Sequence, residues 1–396
     1  MIDGWKYKRL GDIVNTINGL WTGKKPPFKT IAVIRNTNFT KDCKLDMSNV
    51  AYIEAEEKQF VTRKLTHGDI IIEKSGGSDK QPVGRPVLFE LEDGDFSFSN
   101  FTSTLRIKDK EEMMPKFLHK ALYGAYLRGE TFKMQSKTTG IHNLDFKAYN
   151  NLLIPTPTIT EQQYIIEELD LLSSIIEKKK AQLNELDNMS QSLFYEMFGN
   201  PIINEKKWTV SKLAEISKIG TGATPSRTKE ELYYGGNINW VKTTEVHNCI
   251  ITSTEETITQ LAIEQTNCKI YPPKTLLMAM YGQGKTRGQI AKLMISAATN
   301  QACAAILLNE EVSCLDFIYE LLHIKYESIR AMAQGGNQAN LNLRLVGAIT
   351  VILPPIDLQN QFAEKVQAIE HQKELIKKSI KEVETLFDSR MDYYFN

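Results

Sequence analysis

Cysteine is scarce and scattered in this chain. Its 396 residues include only Cys43, Cys249, Cys268, Cys303 and Cys314, odd in number and never in CxxC spacing. That usage excludes a disulfide framework and a thiolate metal centre, and fits free thiols in a reducing compartment. No apolar run approaches the roughly 20 residues needed to span a bilayer. The opening MIDGWKYKRLGD lacks the apolar stretch of a signal peptide. A cytoplasmic protein with no membrane partner is therefore expected. The six histidines (67, 119, 142, 247, 323 and 371) show neither metal-ligand spacing nor a paired carboxylate, so no metal site is assigned. Net charge is absent as well, since 48 Lys and Arg balance 48 Asp and Glu.

Complete catalytic motifs are also missing. Gly282-Gln283-Gly284-Lys285-Thr286 resembles the end of a phosphate loop, but the pattern needs a glycine where Ala279 stands, and no helical pattern follows. Gly220-Thr221-Gly222 is too short for a dinucleotide fingerprint, and Pro225 falls where a helix should propagate. No Asn/Asp-Pro-Pro-aromatic tetrapeptide occurs, which removes the motif with which amino-methyltransferases hold a flipped base. No residue is assigned a catalytic role and no cofactor is assigned to this chain.

What the sequence does contain is a repeat with a period of about 200 residues. Trp5, Leu10 and Ile13 match Trp208, Leu213 and Ile216; IPTPTITEQQYI from Ile154 matches ILPPIDLQNQFA from Ile352. Between them GDIIIEKSGGSDKQPVGRP from Gly68 parallels PKTLLMAMYGQGKTRGQIA from Pro273, and Asn143-Leu144 matches Asn340-Leu341. The length suffices for two or three domains. The expected division is a globular unit at 1–155, a connector helix at 156–200, a second globular unit at 201–355 and a second helix at 356–396.

Charge follows that division. Residues 1–155 carry 24 Lys and Arg against 19 Asp and Glu, and residues 201–355 carry 15 against 13. The connectors are acidic, with 3 against 8 in 156–200 and 6 against 8 in 356–396. Globular units that touch phosphate and helices that touch protein would show this split.

Strand-like runs at 31–34, 69–72, 104–107 and 152–154 have counterparts at 238–241, 275–280, 302–308 and 348–353. Helical patterns sit at 115–129 and 315–332. Strands and helices do not alternate strictly, so each unit is expected to be a mixed α/β domain within an α+β class. In the first connector Ile165, Leu169, Leu172, Ile176, Leu183, Leu186, Leu193 and Met197 recur in steps of four and three, interrupted by Lys179 and Ser190. In the second the stripe is Phe362, Val366, Ile369, Ile376, Ile380, Val383, Phe387 and Tyr394, broken by Lys373 and Arg390. Stripes of this length predict two long helices paired as an antiparallel coiled coil with a pseudo-twofold. The helix-pairing residues are Ile165, Leu169, Leu172, Ile176, Leu183 and Leu186 with Phe362, Val366, Ile369, Ile376, Ile380 and Val383. Thr160 and Asp357 are the expected N-caps, and Gly199-Asn200-Pro201 stops the first helix. A helix of about 38 residues is roughly 57 Å long.

Cationic, glycine-rich loops recur at matching places in the two units, and they are the candidate DNA-binding elements. The first unit offers Lys24, Lys25, Arg35, Asn36, Lys74, Lys80, Arg85, Lys137 and His142. The second offers Arg227, Lys242, Tyr281, Gln283, Lys285, Arg287 and Asn337. Arg and Lys can bond the O6 and N7 of guanine, Asn and Gln can pair with adenine, and glycine lets backbone approach phosphate. A shared scaffold with unlike loops suits two unlike half-sites on a duplex.

These residues resemble the DNA-specificity subunits of type I restriction–modification systems. The resemblance covers essentially the whole chain, through Trp5/Leu10/Ile13 with Ile154-Pro155-Thr156-Pro157 and Gln162-Gln163, and Trp208/Leu213/Ile216 with Ile352-Leu353-Pro354-Pro355. The second copy departs in having Gln359-Asn360-Gln361 where the first has paired glutamines. The resemblance implies two target-recognition domains that read a bipartite, asymmetric site in double-stranded DNA. It also implies assembly with two modification subunits that methylate adenine using S-adenosylmethionine, and with motor-nuclease subunits in restriction complexes. The alternatives from other classes are a coiled-coil scaffold with two non-DNA ligand domains, and a stand-alone methyltransferase that the missing motifs disfavour.

Overall fold

A computed structural model describes residues 2, 4–78, 81–92, 94–138, 141–282, 285–333 and 340–396, with the side chains of Lys137 and Thr138 excepted. The chain forms two compact units: Met1–Lys179 with Ser379–Asn396, and Lys180–Lys378. Each unit thus takes part of both long helices, which the sequence expectation had set apart as connectors.

In the first unit the strand Lys6–Arg9 pairs antiparallel with Leu153–Thr156, so the beginning and end of the globular part are zipped together. A four-stranded antiparallel sheet runs Val14–Asn18, Thr102–Ile107, Ile70–Glu73, Pro86–Leu88. Ile70, Ile71 and Ile72 are all fully buried. A strand covered on both faces reads as a continuous apolar run for this reason. A second sheet orders Ala51–Glu56, Phe28–Ile34 and Phe96–Phe98, the last pair parallel. A third joins Gln135–Thr138, Ile141–Leu144 and Ser75–Gly77. The helix Pro115–Leu127 buries Phe117, Leu118 and Leu122 in the core, where Ile165, Ile166 and Leu169 of the first long helix meet Met391, Tyr394 and Phe395 of the second.

The second unit repeats the plan. Thr209–Lys212 pairs antiparallel with Thr350–Leu353. A five-stranded sheet orders Ser217–Thr221, Cys303–Leu308, Thr275–Ala279, Ile290–Leu293, Cys249–Ile251, and a four-stranded one Glu256–Ile258, Tyr234–Val241, Ala297–Thr299, Ile270–Tyr271. The region 315–332 is two helices, Leu315–Ile324 and Tyr326–Ala331, with Lys325 between them. Phe194, Phe198, Phe317 and Phe362 are all fully buried in one cluster, with ring centroids 4.7–6.5 Å apart. Aromatic packing of this kind adds edge-to-face attraction to a large buried area.

The long helices are Ile159–Phe198 and Ile356–Phe395. The first is capped by Thr158 and not by Thr160, which lies inside it. Thr158 donates its backbone N–H to Glu161 Oε2 at 2.8 Å, and the Glu161 N–H returns to Thr158 Oγ1 at 3.3 Å. The acid three residues on makes Thr158 the residue with a reciprocal partner. Asp357 likewise lies within the first turn of its helix. Gly199, at φ +72°, ends the first helix in the left-handed conformation that glycine adopts without strain.

Ile165, Leu169, Leu172, Phe362, Val366, Ile369 and Ile380 are buried, while Ile176, Leu183, Leu186, Ile376 and Val383 are half-buried. The two cations in the second stripe are each paired with an acid of the other helix. In the first unit Arg390 Nε lies 2.7 Å from Glu168 Oε1, and the Tyr394 hydroxyl donates to Glu168 Oε2 at 2.5 Å. In the second, Lys373 Nζ lies 2.6 Å from Asp187 and 2.7 Å from Glu370. As the first helix advances from Asp187 to Phe194 its neighbour recedes from Lys373 to Phe362, so within this unit the helices run antiparallel.

Candidate nucleic-acid interface

The first unit collects most of its candidate residues around the end of strand Phe28–Ile34. Asn38 is 2% exposed and closes the turn after that strand. Its Oδ1 accepts the Arg35 N–H at 3.0 Å, and its Nδ2 donates to the carbonyls of Asp46 and Asn49. The turn holds Arg35 and Asn36 half-exposed, and Asn36 Nδ2 reaches the Ser75 carbonyl at 3.4 Å. Lys74 and Ser75 donate their N–H groups to the Phe101 carbonyl, and the Leu144 N–H bonds the Lys74 carbonyl. Partial burial lowers the Lys74 pKa. Arg35, Asn36, Lys74 and the three-stranded sheet bearing Lys137 and His142 thus share one neighbourhood.

Two of these residues are framework. Arg85 is 7% exposed; its Nε sits 2.7 Å from Glu73 Oε2, its Nη2 3.1 Å from Glu73 Oε1, and its Nη1 donates to the Phe39 carbonyl at 3.0 Å. Reaching a base edge would leave the Glu73 carboxylate, itself 2% exposed, unpaired in the interior. His142 is 8% exposed within its strand. Both were expected to contact DNA, and burial removes them from the surface that could. Lys80 lies outside the described residues, as does the side chain of Lys137.

Lys24 and Lys25 belong elsewhere. They are exposed on a loop just before strand Phe28–Ile34, whose seven residues place them about 20 Å from Arg35. Glu56 fixes that loop: its Oε1 accepts the Lys24 N–H at 2.5 Å and also the Lys25 N–H, while its own N–H bonds the Thr22 carbonyl. The two amides hold the Glu56 carboxyl below its usual pKa.

The second unit uses the same turn with other side chains. Lys242 occupies the place of Arg35, its N–H bonding Glu245 Oε2 at 2.7 Å. Its Nζ lies 2.7 Å from Glu255 and 3.0 Å from Glu256. Arg227 Nη2 is 2.6 Å from the same Glu256, Nη1 is 3.0 Å from Glu230, and the guanidinium stacks 4.0 Å from the Tyr234 ring centre. Lys242 and Arg227 hold the Glu256 carboxyl below its usual range, and Glu256 raises Arg227 in turn. These two cations therefore face solvent already neutralised.

The loop from Met280 to Gly288 carries Tyr281, exposed at 41%, exposed Lys285 and half-buried Arg287. It is tethered by the Met280 N–H to the Ala302 carbonyl, the Gly288 N–H to the Ala279 carbonyl, and the Tyr326 hydroxyl to the Lys285 carbonyl. Strand Ile290–Leu293 follows, so the helix that a phosphate loop requires does not follow Lys285. Gln283 and Asn337 lie outside the described residues.

Backbone bonds match the two loops position by position. Glu73 donates to the Arg85 carbonyl and Gly84 to the Glu73 carbonyl, as Ala279 donates to Gln289 and Gly288 to Ala279. The first unit thus has a buried ion pair where the second has Ala279 and Gln289. Glu56, Glu73 and Glu256 were not singled out from sequence, because an isolated acid in a loop carries no local signal of what it will hold.

Burial pushes the Cys43 and Cys303 thiols up to about 12, which leaves them poor nucleophiles. Among the described residues no group of three or more His, Cys, Asp or Glu could hold a metal, and no helix is long and apolar enough to cross a membrane.

The type I restriction modification DNA specificity domain matches twice, over residues 2–188 and 205–385. The chain is 22% identical over 215 residues to the specificity subunit of the type I restriction enzyme EcoR124I/EcoR124II of Escherichia coli, an alignment covering 53% of this chain and 52% of that one. It is 21% identical over 418 residues to the MjaVIII specificity subunit of Methanocaldococcus jannaschii, covering 96% and 90%. The first of these alignments thus spans about half the relative's length, and the second nearly all of it. Among solved structures, the S subunit of a type I restriction–modification system from M. genitalium superposes with a TM-score of 0.58 at 16% identity, covering 100% of this chain and 98% of that one.

Proposed function

The chain belongs to the type I restriction modification DNA specificity family, and from that premise we propose that it is the non-catalytic, DNA-reading subunit of such a complex in the cytoplasm. Each unit contacts one element of a bipartite, asymmetric site in double-stranded DNA. The acidic long helices dock two modification subunits, which bind S-adenosylmethionine and methylate adenine N6, and restriction subunits join where the complex cleaves.

One observation carries this reading. The two units share a scaffold down to individual backbone bonds, yet put different groups at equivalent loop positions: Arg35 and Asn36 against Lys242 and Thr243, Glu73 and Arg85 against Ala279 and Gln289. Two equal readers would need equal side chains, and two unlike elements need unlike ones. The test is fluorescence anisotropy of the chain with its modification subunits on duplexes carrying the sequence methylated in the host genome. Affinity should fall steeply with salt and should drop when either element is scrambled. Salt-independent binding, or indifference to both scrambles, defeats the reading.

A further inference from the structure

Trp21 is the one exposed tryptophan of four. It is 67% exposed, whereas Trp240 is 2% exposed and Trp5 and Trp208 are half-buried. An indole in water forfeits the burial that its size would otherwise gain. Trp21 is also held there. The loop behind it is pinned by both amides on Glu56, by the Glu56 N–H on the Thr22 carbonyl and by the Glu57 N–H on the Pro27 carbonyl. Gly23 takes φ +75°, and a Cβ there would meet the Glu56 side chain at 2.3 Å, so glycine is required for the chain to lie this close. The next cations are Lys24 and Lys25, and among the described residues neither ammonium sits in an ion pair. A rigid aromatic beside two exposed ammonium groups, one of them partly offset by the Glu56 carboxylate, has the makeup of a wedge against a polyanion whose interior is stacked and apolar.

Among the described residues the second unit has no exposed tryptophan. Its corresponding stretch is tied down: the Ala223 carbonyl accepts both Trp240 Nε1 at 3.1 Å and Cys268 Sγ at 3.2 Å, and the Pro225 carbonyl accepts the Tyr234 hydroxyl. There the indole is inside and the loop arginine is covered by acids.

We propose that Trp21 inserts at a base-pair step of duplex DNA in the first unit only, with Lys24 and Lys25 on the flanking phosphates, so that this unit senses how easily the duplex deforms as well as its base edges. The inference rests on the DNA-binding reading above. The loop lies about 20 Å along strand Phe28–Ile34 from Arg35, equivalent to about six base pairs of B-form duplex. The step it reads can therefore fall outside the bases read around Arg35 and Asn36. Pyrimidine–purine steps, which unstack readily, should be favoured there over stiff A-tracts.

The experiment uses the full chain and a 40-base-pair duplex bearing the sequence methylated in the host genome, with Trp21→Ala, Trp21→Phe and the pair Lys24→Ala/Lys25→Ala. Trp21→Ala should weaken binding about 5- to 100-fold without changing the slope of affinity against salt, and Trp21→Phe should recover most of it. The lysine pair should lower the salt slope by about 2. Wild-type tryptophan emission should be quenched on binding, and Trp21→Phe should lose the quench. Unchanged affinity and a surviving quench in the Trp21 variants, with wild-type DNA binding intact, overturn the wedge while sparing the functional reading. If Trp21→Ala binds DNA normally but no longer retains the modification subunits, the indole is a protein contact and the wedge is again refuted. If the wild-type chain shows no salt-dependent duplex binding at all, it is the functional reading that fails.

Discussion

Gln162 and Gln359 make the same three hydrogen bonds, each inside its own unit. Gln162 Oε1 accepts the Met114 N–H at 2.8 Å, and its Nε2 donates to the carbonyls of Glu112 at 2.8 Å and Pro157 at 3.0 Å. Gln359 Oε1 accepts the Cys314 N–H at 2.9 Å, and its Nε2 donates to Val312 at 3.2 Å and Pro354 at 2.8 Å. Both are fully buried. Each amide staples the start of a long helix to the segment leading into the domain helix. Gln162→Leu or Gln359→Leu removes the partner of one buried and two partly buried backbone groups and should cost about 2 kcal/mol in urea unfolding. A loss under half of that would mean water replaces the amide.

The Arg85–Glu73 pair should behave asymmetrically. Arg85→Ala strands a buried carboxylate and should destabilise the first unit by about 3–5 kcal/mol. Glu73→Ala with Arg85→Gln copies the arrangement of the second unit and should recover most of that stability. Calorimetry of the single and double variants decides it.

Glu320 gives the second unit a pH dependence. It is 7% exposed, and burial pushes its carboxyl up to about 7, against the pull of Lys373 and Lys292 and with Glu370 and Asp187 adding to the rise. The folded chain therefore keeps a proton that the unfolded chain releases near its ordinary 4.5. Stability from this group is full below that value and is lost as pH rises through about 7. His323, lowered by burial, works in the opposite sense below its ordinary 6.5. The difference in Tm between wild type and Glu320→Gln isolates the carboxyl: the variant should gain on wild type as pH rises from about 4.5 to about 7 and level off above that. A constant difference would refute the assignment.

Phe198 touches Phe194, Phe317 and Phe362 at once. Phe198→Ala should cost about 3–5 kcal/mol, since a rigid aromatic cluster collapses poorly into a cavity. The expected readout is early melting of the second unit followed by hydrogen exchange.

Base contacts should divide by unit. Arg35→Ala and Lys285→Ala should each weaken binding by about 1–3 kcal/mol and relax sequence preference in one element only. Uniform weakening across all sequences would make them phosphate contacts instead.

The repeat, the strand-like runs and the heptad stripes were legible in sequence because hydrophobic period and turn residues are local signals. Ile70–Ile72 and Thr275–Ala279 read as strands from their apolar runs alone. The site was less legible, for a physical reason. Lys and Arg in a loop look the same whether they face solvent, as Lys24 does, or close a buried pair, as Arg85 does. The difference lies in acids far along the chain: Glu73 for Arg85, Glu256 for both Arg227 and Lys242. The cap was misplaced by two residues because Thr158 and Thr160 are equivalent until Glu161 chooses between them. Lys373 and Arg390 looked like flaws in a stripe, and their acids sit on the other helix.

Met391, Tyr394 and Phe395 belong to the core that Leu10, Phe117 and Leu122 begin. A ribosome makes the amino-terminal part of this module first, yet the side chains that seal it follow the whole of the second unit in the chain. The inner stretch from 180 to 378 holds all of its own core and can settle earlier. Birth order and completion order are therefore reversed, and a nascent chain that has reached only residue 378 carries an open first module and a second whose core is whole.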